Sequence, residues 1–366
     1  MMERILISGA FLLLVAFGVW GGAALAADDF VVHRNAAERF ATLPSGVRFP
    51  EGITANAANG DIFVGTFDAP PNNRPNKLLR FDRNGRLEAS RDFGNTPLLG
   101  LEFDRDTGKV YIAAVGDFSG TGSRIQRIAA NFTGATAIEE VAAIPSIGAP
   151  GPRIVPNPDG SMDTITFGNN ARVPNALVFD SQGNLYISDS FQGAIFRIDN
   201  PAACAPGCVV TIVAHDPLLA TTGFPPFGAN GLAVNSDGTA LFIANTGDDR
   251  ILKLDLSTNV VTVFAESING ADGIAFDKRG RLWVAANQAD EVVALNATGR
   301  VVAKLGDFLG VRNGSPRGLL FPASLVIVDD EIFVTNLALP LNATAGDEPE
   351  EDVTRYTVSR IKLPRD

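Results

Sequence analysis

The feature of this chain that most constrains its fold is a unit that recurs six times along the sequence. In each copy a short motif is followed, nine to eleven residues later, by a run of three β-branched, aromatic or leucine residues. The six runs are Ile62–Val64, Val110–Ile112, Leu185–Ile187, Leu241–Ile243, Leu282–Val284 and Ile332–Val334. Such a fixed spacing is typical of repeat proteins in which every copy is one supersecondary unit. The interval fits one strand, a tight turn and a second strand.

Turn residues and further strands complete each copy. Dipeptides such as Asn59-Gly60 and Asp237-Gly238 accept the positive φ that hairpin turns require. A third strand of alternating apolar and polar residues follows every run, and most copies have a fourth, such as Val260–Phe264. Four short antiparallel strands in six copies predict an all-β fold, a six-bladed β-propeller with four-stranded blades. A β-sandwich, the competing all-β fold, would not account for so even a register.

The ends of the repeat predict how the ring closes. The sixth copy has no candidate fourth strand after Leu363. The segment Phe40–Leu43 lies just before the first motif, where outer strands stand in other copies. We therefore predict that this N-terminal strand completes the sixth blade and hides two open sheet edges. Residues 27–366 would then form a single propeller domain.

The first residues of the chain have the pattern of a secretory signal. Arg4 is followed by the largely apolar stretch Ile5–Val19, and Ala24-Leu25-Ala26 fits the cleavage rule. We predict that residues 1–26 are removed and that the mature protein is periplasmic or secreted; an uncleaved membrane anchor is the alternative. After cleavage no membrane association is expected, because no later stretch is long and apolar enough to span a bilayer.

Charge and cysteine content restrict the partners and the compartment. The formal net charge is −11 and no basic stripe is present, which argues against binding of nucleic acid. The two cysteines, Cys204 and Cys208, are predicted to form a small-loop disulfide, because exported proteins meet oxidising conditions. A redox-active pair is the alternative, but no strand-then-helix pattern accompanies it.

Three insertions interrupt the register of the repeats: residues 145–172, 214–229 and 337–355. Loops longer than about 12–15 residues are usually functional or disordered. The first two insertions lead directly into Asn175 and Asn230, so we expect the two loops to cover the polar centre to which these residues belong, which is described next. The third contains the acidic segment Asp347–Asp352, and we expect it to be a solvated loop.

One step of the repeated motif is polar in four copies. The polar residues are Glu51, Asn175, Asn230 and Asp272, whereas the same step is Leu99 and Ala323 in the other two. The innermost strands of a propeller run beside its central channel, so we expect the four side chains to converge at one mouth. Two carboxylates and two amide carbonyls are the hard oxygen ligands that Ca²⁺ prefers, and Zn²⁺ is less natural without His or Cys. The alternative is that they are simply turn-forming residues.

The order of these motifs resembles a known family. Glu51-Gly52, then Asn175, then Asn230-Gly231-Leu232 and Asp272-Gly273-Ile274-Ala275-Phe276-Asp277 are similar to the metal-site motifs of the gluconolactonase, senescence marker protein and luciferin-regenerating enzyme family. The resemblance covers about residues 40–364 and implies a six-bladed propeller. It also implies that the four polar residues are metal ligands and that Asp272 is the general base.

Two departures from the family pattern bear on the substrate. The family's middle Asn is commonly followed by Asp-Gly and preceded by an Arg two positions earlier. Here Asn175 is followed by Ala176, and Arg172 lies three positions before it. Arg172 is the candidate substrate-binding residue by this resemblance, and a substrate other than a sugar lactone stays open.

The predicted activity is metal-dependent hydrolysis of a small lactone or ester. The metal would polarise the carbonyl and Asp272 would accept a proton from water. The only histidines, His33 and His215, lack a partner nearby in sequence, and no Gly-x-Ser-x-Gly elbow is present, so neither a His dyad nor serine-hydrolase chemistry is favoured. Two alternatives stay open. One is a non-catalytic binding propeller with a structural metal or none. The other is a strictosidine-synthase-like enzyme, which would not need Glu51 and Asp272 together.

Overall fold

The computed structural model describes residues 31–33, 37–69, 74–118, 121–342 and 346–364. The predicted signal segment, residues 1–26, lies outside the described residues. Six sheets of antiparallel strands follow one another along the chain, and the inner strand of each contacts the inner strands of its neighbours in a closed cycle. The predicted six-bladed β-propeller is therefore confirmed.

The strands are numbered in chain order. Two precede the first blade: β1 (Val31–His33) and β2 (Ala37–Thr42). Blade one contains β3 (Pro50–Asn56), β4 (Asp61–Thr66), β5 (Asn76–Phe81) and β6 (Leu87–Gly94). Blade two contains β7 (Leu98–Asp104), β8 (Lys109–Ala114), β9 (Arg124–Ala129) and β10 (Glu139–Ala143). A hairpin, β11 (Arg153–Pro156) and β12 (Met162–Ile165), separates it from blade three.

Blade three contains β13 (Pro174–Phe179), β14 (Leu185–Asp189), β15 (Ala194–Ile198) and β16 (Thr211–His215). Blade four contains β17 (Ala229–Val234), β18 (Ala240–Asn245), β19 (Arg250–Asp255) and β20 (Val261–Glu266). Blade five contains β21 (Ala271–Phe276), β22 (Leu282–Ala286), β23 (Glu291–Leu295) and β24 (Val301–Leu305). A second hairpin, β25 (Phe308–Arg312) and β26 (Ser315–Gly318), leads to β27 (Pro322–Val328), β28 (Glu331–Asn336) and β29 (Thr357–Lys362) of blade six.

Helical structure is confined to single turns in the described residues. The short helix α1 spans Pro201–Cys204, and the 3₁₀ turns span Pro217–Leu219, Asn287–Ala289 and Pro349–Asp352. At the end of α1 the sulfurs of Cys204 and Cys208 are bonded to each other, 2.11 Å apart. No helix of the described chain has the length and apolar character needed to cross a bilayer.

The N-terminal segment closes the ring as predicted. Strand β2 pairs antiparallel with β29 and is the outer strand of blade six, although it begins at Ala37, three residues before the predicted start. The preceding strand β1 was not predicted, and it pairs parallel with β24 at the edge of blade five. The segment thus joins two neighbouring blades before the first repeat begins.

Apolar residues pack between the blades. Six clusters of buried residues each combine side chains from two adjacent blades, and together they account for the whole ring. The fully buried Trp283 lies between blades five and six, and its indole N–H donates to Asp277 Oδ2 at 2.9 Å. A seventh cluster, described below, covers one mouth of the channel.

Every inner strand is bulged at the motif step. In blade one Pro50 pairs with Thr66 and Ile53 with Val64, so Glu51 and Gly52 together face one residue of the second strand. The same two-against-one irregularity occurs in all the other blades. A bulge bends the strand and re-aims a side chain, which directs the motif residue toward the channel mouth.

The small residue after each motif step permits close approach between blades. A Cβ on Gly52 would lie 1.8 Å from the backbone oxygen of Leu99, and one on Gly231 would lie 2.2 Å from that of Asp272. These glycines are therefore needed because neighbouring inner strands nearly touch. The polar-then-glycine motif thus combines a ligand position with a packing requirement.

Candidate metal centre

The structure brings the four predicted ligand residues together. Glu51, Asn175, Asn230 and Asp272 all line one cavity of about 30 Å³ at one mouth of the channel. Their exposed fractions are 4%, 2%, 5% and 4%, so the site is nearly closed to solvent. A space of this size holds an ion or very few water molecules.

Two hydroxyl groups fix the orientation of the asparagine amides. Ser190 Oγ donates its single proton to the backbone oxygen of Ala229 at 2.7 Å, so toward Asn175 it can only accept. The group of Asn175 that donates to it, at 2.9 Å, is therefore Nδ2. The amide oxygen of Asn175 is consequently the atom left for the cavity.

Blade four repeats this arrangement. Thr246 Oγ1 donates to the backbone oxygen of Ala271 at 2.7 Å and accepts from Asn230 Nδ2 at 2.9 Å. In blade five the equivalent residue is Asn287, whose Nδ2 donates to Asp272 Oδ2 at 3.1 Å. Each candidate ligand of blades three to five is thus bonded to a polar side chain that directly follows the second strand of its own blade.

The carboxylates of the centre are short of partners. Among the described residues, Glu51 Oε2 and Asp272 Oδ1 are buried side-chain oxygens without a hydrogen-bond donor. Burial, together with the nearby Asp272 carboxylate, raises the pKa of Glu51 well above its usual range. Burial also raises the pKa of Asp272, against the opposing effect of hydrogen bonds from Asn287 and Asn230. Two acidic groups at this depth call for a positive charge.

No side chain in the described part of the cavity wall supplies that charge. The described residues that line the cavity include no Lys, Arg or His. Nor do the described residues contain a cluster of three or more His, Cys, Asp and Glu that could hold a metal. At this site only two ligands are acidic and the other two are amides. Unpartnered carboxylate oxygens beside two inward-facing amide oxygens fit a hard divalent cation such as Ca²⁺.

A second ring of six residues surrounds the centre and was missed in the sequence. Each member directly follows the second-strand residue that pairs with the start of the inner strand. The six are Phe67, Val115, Ser190, Thr246, Asn287 and Leu337. The repeat contained the signal, because each lies three residues beyond one of the β-rich runs. The ring is polar in blades three to five and apolar in blades six, one and two.

The apolar members belong to a cluster at the mouth, which we call the mouth cluster. Its buried members are Phe67, Leu99, Val115, Val173, Phe321, Ala323 and Leu337. Around them pack partly buried side chains that include Phe118, Phe191, Phe227 and Leu339. The polar centre thus lies beneath a largely apolar cover.

The insertions contribute unequally to this cover. Residues 214–229 supply Pro225 and Phe227 to the cavity wall, as predicted for that loop. No residue of 145–172 lines the cavity, and its hairpin exposes Ile154 and Met162 to solvent. The third insertion is not only solvated, since it begins with Leu337 and Leu339 of the wall.

Arg172 lies away from the centre. Its guanidinium donates to the backbone oxygen of Ile144 at 3.1 Å, and it is not among the residues that line the cavity. His215 is exposed at the end of β16, with Nε2 3.2 Å from the backbone oxygen of Gly148. His33 lies in β1 at the edge of blade five.

The channel continues beyond the centre as a larger cavity of about 270 Å³. Asn175 and Asn230 line both cavities, so these two residues lie between the centre and the rest of the channel. Among the described residues, Glu102 is the one charged residue in the lining of the larger cavity. Burial raises the pKa of Glu102 to about 8, although the backbone N–H of Phe179 donates to it.

A six-bladed propeller with a buried oxygen-rich centre at one mouth is the class that the fold and the site define. The family model described as SMP-30/gluconolactonase/LRE-like region matches residues 174–306. That range spans blades three to five and includes three of the four candidate ligands. The predicted family resemblance is confirmed over this part of the chain. No curated protein matches the sequence significantly.

Solved structures show the same fold at low identity. A luciferin-regenerating enzyme is 14% identical with a TM-score of 0.59, covering 88% of this chain and 95% of its own. The calcium-binding protein regucalcin from Agrobacterium tumefaciens is 14% identical with a TM-score of 0.57, covering 92% and 98%. Virginiamycin B lyase from Staphylococcus aureus is 14% identical with a TM-score of 0.52, covering 90% and 99%. At these identities the likeness concerns the fold alone.

Proposed function

We propose that this protein is a metal-dependent hydrolase of lactones. The observation that carries the proposal is the convergence of Glu51, Asn175, Asn230 and Asp272 on one buried cavity without a cationic side chain among its described lining residues. The family resemblance over residues 174–306 supports it. The shared fold with regucalcin, a calcium-binding protein, is consistent with the choice of ion.

The oxygen ligands favour Ca²⁺ over Zn²⁺. Glu51 and Asp272 would supply charge, and Asn175 and Asn230 would supply neutral oxygens already oriented by Ser190 and Thr246. Four protein oxygens leave free positions on an ion that takes six to eight ligands. The bound ion would supply electrophilic polarisation of the substrate carbonyl.

Asp272 is the proposed general base. Its Oδ2 is held by Asn287 Nδ2, whereas Oδ1 has no donor among the described residues and is free to accept a proton. In hydrolysis the water oxygen bonds to the carbonyl carbon and its proton passes to Asp272. The ring C–O bond then breaks, and the departing oxygen takes up a proton to give a hydroxy acid. Asn287 orients the base in this scheme.

Hydrolysis of a lactone panel by the purified mature protein, with and without a chelator, tests the proposal. Turnover should disappear with the chelator and return with added Ca²⁺. Asp272→Asn, which removes the base while keeping the shape, should lower kcat by about 10²-fold or more. Asp163→Asn, on the exposed hairpin, is the matched control. Turnover that resists both the chelator and the Asp272 substitution would rule out the scheme.

A second candidate is a non-catalytic propeller whose ion is structural. The cavity volume favours it, because about 30 Å³ accommodates an ion but not a lactone. This candidate predicts tight Ca²⁺ binding and a higher melting temperature, with no turnover of any lactone.

The compartment is also proposed. We propose that residues 1–26 direct export and are removed, so that the protein acts in the periplasm or outside the cell. Mass spectrometry of the N-terminus of protein recovered from the native host would test this. Protein that retains residues 1–26 would contradict it.

A further inference from the structure

The centre has a polar half and an apolar half. In blades three to five both the motif step and the second ring are polar, and each pair is hydrogen bonded. In blades six, one and two the second ring is Leu337, Phe67 and Val115, and only Glu51 is polar at the motif step. A ligand here would meet oxygen atoms on one side and hydrocarbon on the other.

Four phenylalanines continue outward from the apolar half and extend across the mouth toward blades three and four. Their ring centroids are 5.6 Å apart between Phe67 and Phe118, and 6.4 Å between Phe118 and Phe191. They are 5.5 Å apart between Phe191 and Phe227, and 6.3 Å between Phe227 and Phe67, which closes the circuit. The four side chains come from blades one, two and three and from the loop before blade four. Edge and tilted contacts of this kind are favourable and leave aromatic surface at the mouth.

We infer that the ligand of this site is amphipathic, with a carbonyl or carboxylate group at the polar half and an aryl or alkyl body against Phe67, Leu337 and Phe227. The substrate class is therefore an aryl- or alkyl-substituted lactone or ester rather than a polyhydroxylated sugar lactone. The predicted turnover of such lactones rests on the proposed hydrolase function. The predicted binding of amphipathic ligands does not.

Cavity size and wall chemistry both lead to this class. The cavity of about 30 Å³ has room for an ion and little more, so the body of a ligand must lie among the side chains above it. Seating it requires the half-buried Phe227 and Leu339 to move, a common side-chain adjustment. Above the centre the cavity walls offer Phe, Leu and Pro side chains. Each sugar hydroxyl buried there without a partner would weaken binding by about tenfold or more.

Competing lactones test the class through turnover. We expect kcat/KM for dihydrocoumarin, an aryl lactone, to exceed that for glucono-δ-lactone by about 100-fold or more. Leu337→Ser, which gives blade six the residue of blade three, should lower the dihydrocoumarin value by about tenfold. Phe227→Ser should act in the same direction from a half-buried loop position that carries less folding risk. Ile154→Ser, on the exposed hairpin, should leave both values unchanged.

Binding of the products separates the ligand class from the reaction. Calorimetry with Ca²⁺-loaded protein should show 3-(2-hydroxyphenyl)propionate binding at least tenfold more tightly than gluconate. Tighter gluconate binding, or faster glucono-δ-lactone turnover, would overturn the amphipathic class while leaving hydrolysis standing. Binding of the aryl acid without any turnover would overturn hydrolysis and retain the class. If neither acid binds and neither lactone reacts, both the amphipathic ligand class and the hydrolase function are overturned.

Discussion

At the scale of single residues, the direction of two amide oxygens depends on hydroxyl protons. A hydroxyl has one proton, and Ser190 and Thr246 each give theirs to a backbone oxygen of the next blade. Each hydroxyl can therefore only accept from its asparagine. The amide nitrogen then faces the hydroxyl and the amide oxygen faces the cavity. The same two bonds join neighbouring blades. Orientation of the ligands and attachment of the blades thus share the same atoms.

Removing one of these hydroxyls should weaken metal binding. Thr246→Val keeps the shape but cannot accept from Asn230 Nδ2, so the amide loses its fixed orientation. We expect Ca²⁺ affinity to fall about tenfold, the lower end of effects from residues that orient ligands. Titration calorimetry of the metal-free protein measures this. Ser123→Ala is the control, because that buried hydroxyl lies within hydrogen-bond distance of the backbone oxygens of Val115 and Arg172, to one of which it donates, and contacts no candidate ligand. Unchanged affinity in Thr246→Val would contradict the orienting role.

Glu51→Gln should change stability in opposite directions with and without metal. Burial and the Asp272 carboxylate raise the pKa of Glu51, so above its ordinary pKa the metal-free folded protein must either hold a buried charge or take up a proton, and both cost stability. At pH 8 in chelator the variant should therefore melt at a higher temperature than the wild type. With Ca²⁺ at 100 times its Kd the wild type gains about 2.7 kcal/mol, and the variant should gain much less. Thermal melts under both conditions provide the check; a Ca²⁺-induced rise in melting temperature as large in the variant as in the wild type would mean that no ion uses this carboxylate.

At the scale of elements, the sequence predicted those strands and motif positions that recur in every copy of the repeat. The β-rich runs and the turn glycines recur, so the blades and the position of Glu51 and its three counterparts could be predicted. The hairpin β25–β26 and the strand β1 occur once each and have no second copy against which to recognise them. The hairpin strands pair only with each other, whereas β1 pairs with the edge strand β24, a tertiary contact that local propensity does not encode.

The second ring shows a different limit. Phe67 and Ser190 occupy equivalent places after their β-rich runs, yet one is apolar and the other polar, so no shared residue type draws attention to the position. Its meaning comes from the bulge, which places it beside the motif residue of its own blade. The apolar cover could not be predicted either, because Phe227 and Leu339 come from insertions outside the repeat.

The N-terminal strand should decide whether the ring closes. Deleting residues 27–45 removes β2 and leaves β29 as an open edge of blade six. We expect this variant to lose cooperative unfolding, because the first and last blades are then no longer joined by that strand. Deleting only residues 27–36 removes β1 and keeps β2, and it should still fold. Circular dichroism melts compare the two; cooperative melting of the longer deletion near the wild-type temperature would show that β2 does not close the ring.

At the scale of the whole molecule, function arises where the sixfold symmetry is broken. The backbone repeats the same bulge in every blade, so any difference around the channel comes from side chains. At the mouth, different residue types at equivalent positions divide the second ring into a polar half and an apolar half. Deeper in the channel, Glu102 stands alone, since the equivalent places hold Thr54, Val178, Ala233, Ala275 and Val326.

This single carboxyl should make stability depend on pH without any metal. Burial raises the pKa of Glu102 from 4.5 to about 8, so the folded protein keeps the proton that the unfolded chain loses. The stabilisation is fully present below pH 4.5 and is lost as the pH rises through about 8. Glu102→Gln cannot ionise, so its free energy of unfolding relative to the wild type should increase from about pH 5 to about pH 8 and then level off. Urea unfolding in chelator measures this, with the exposed Glu266→Gln as control. A difference between Glu102→Gln and wild type that stays constant over this range would mean that the channel is wet enough to solvate the charge.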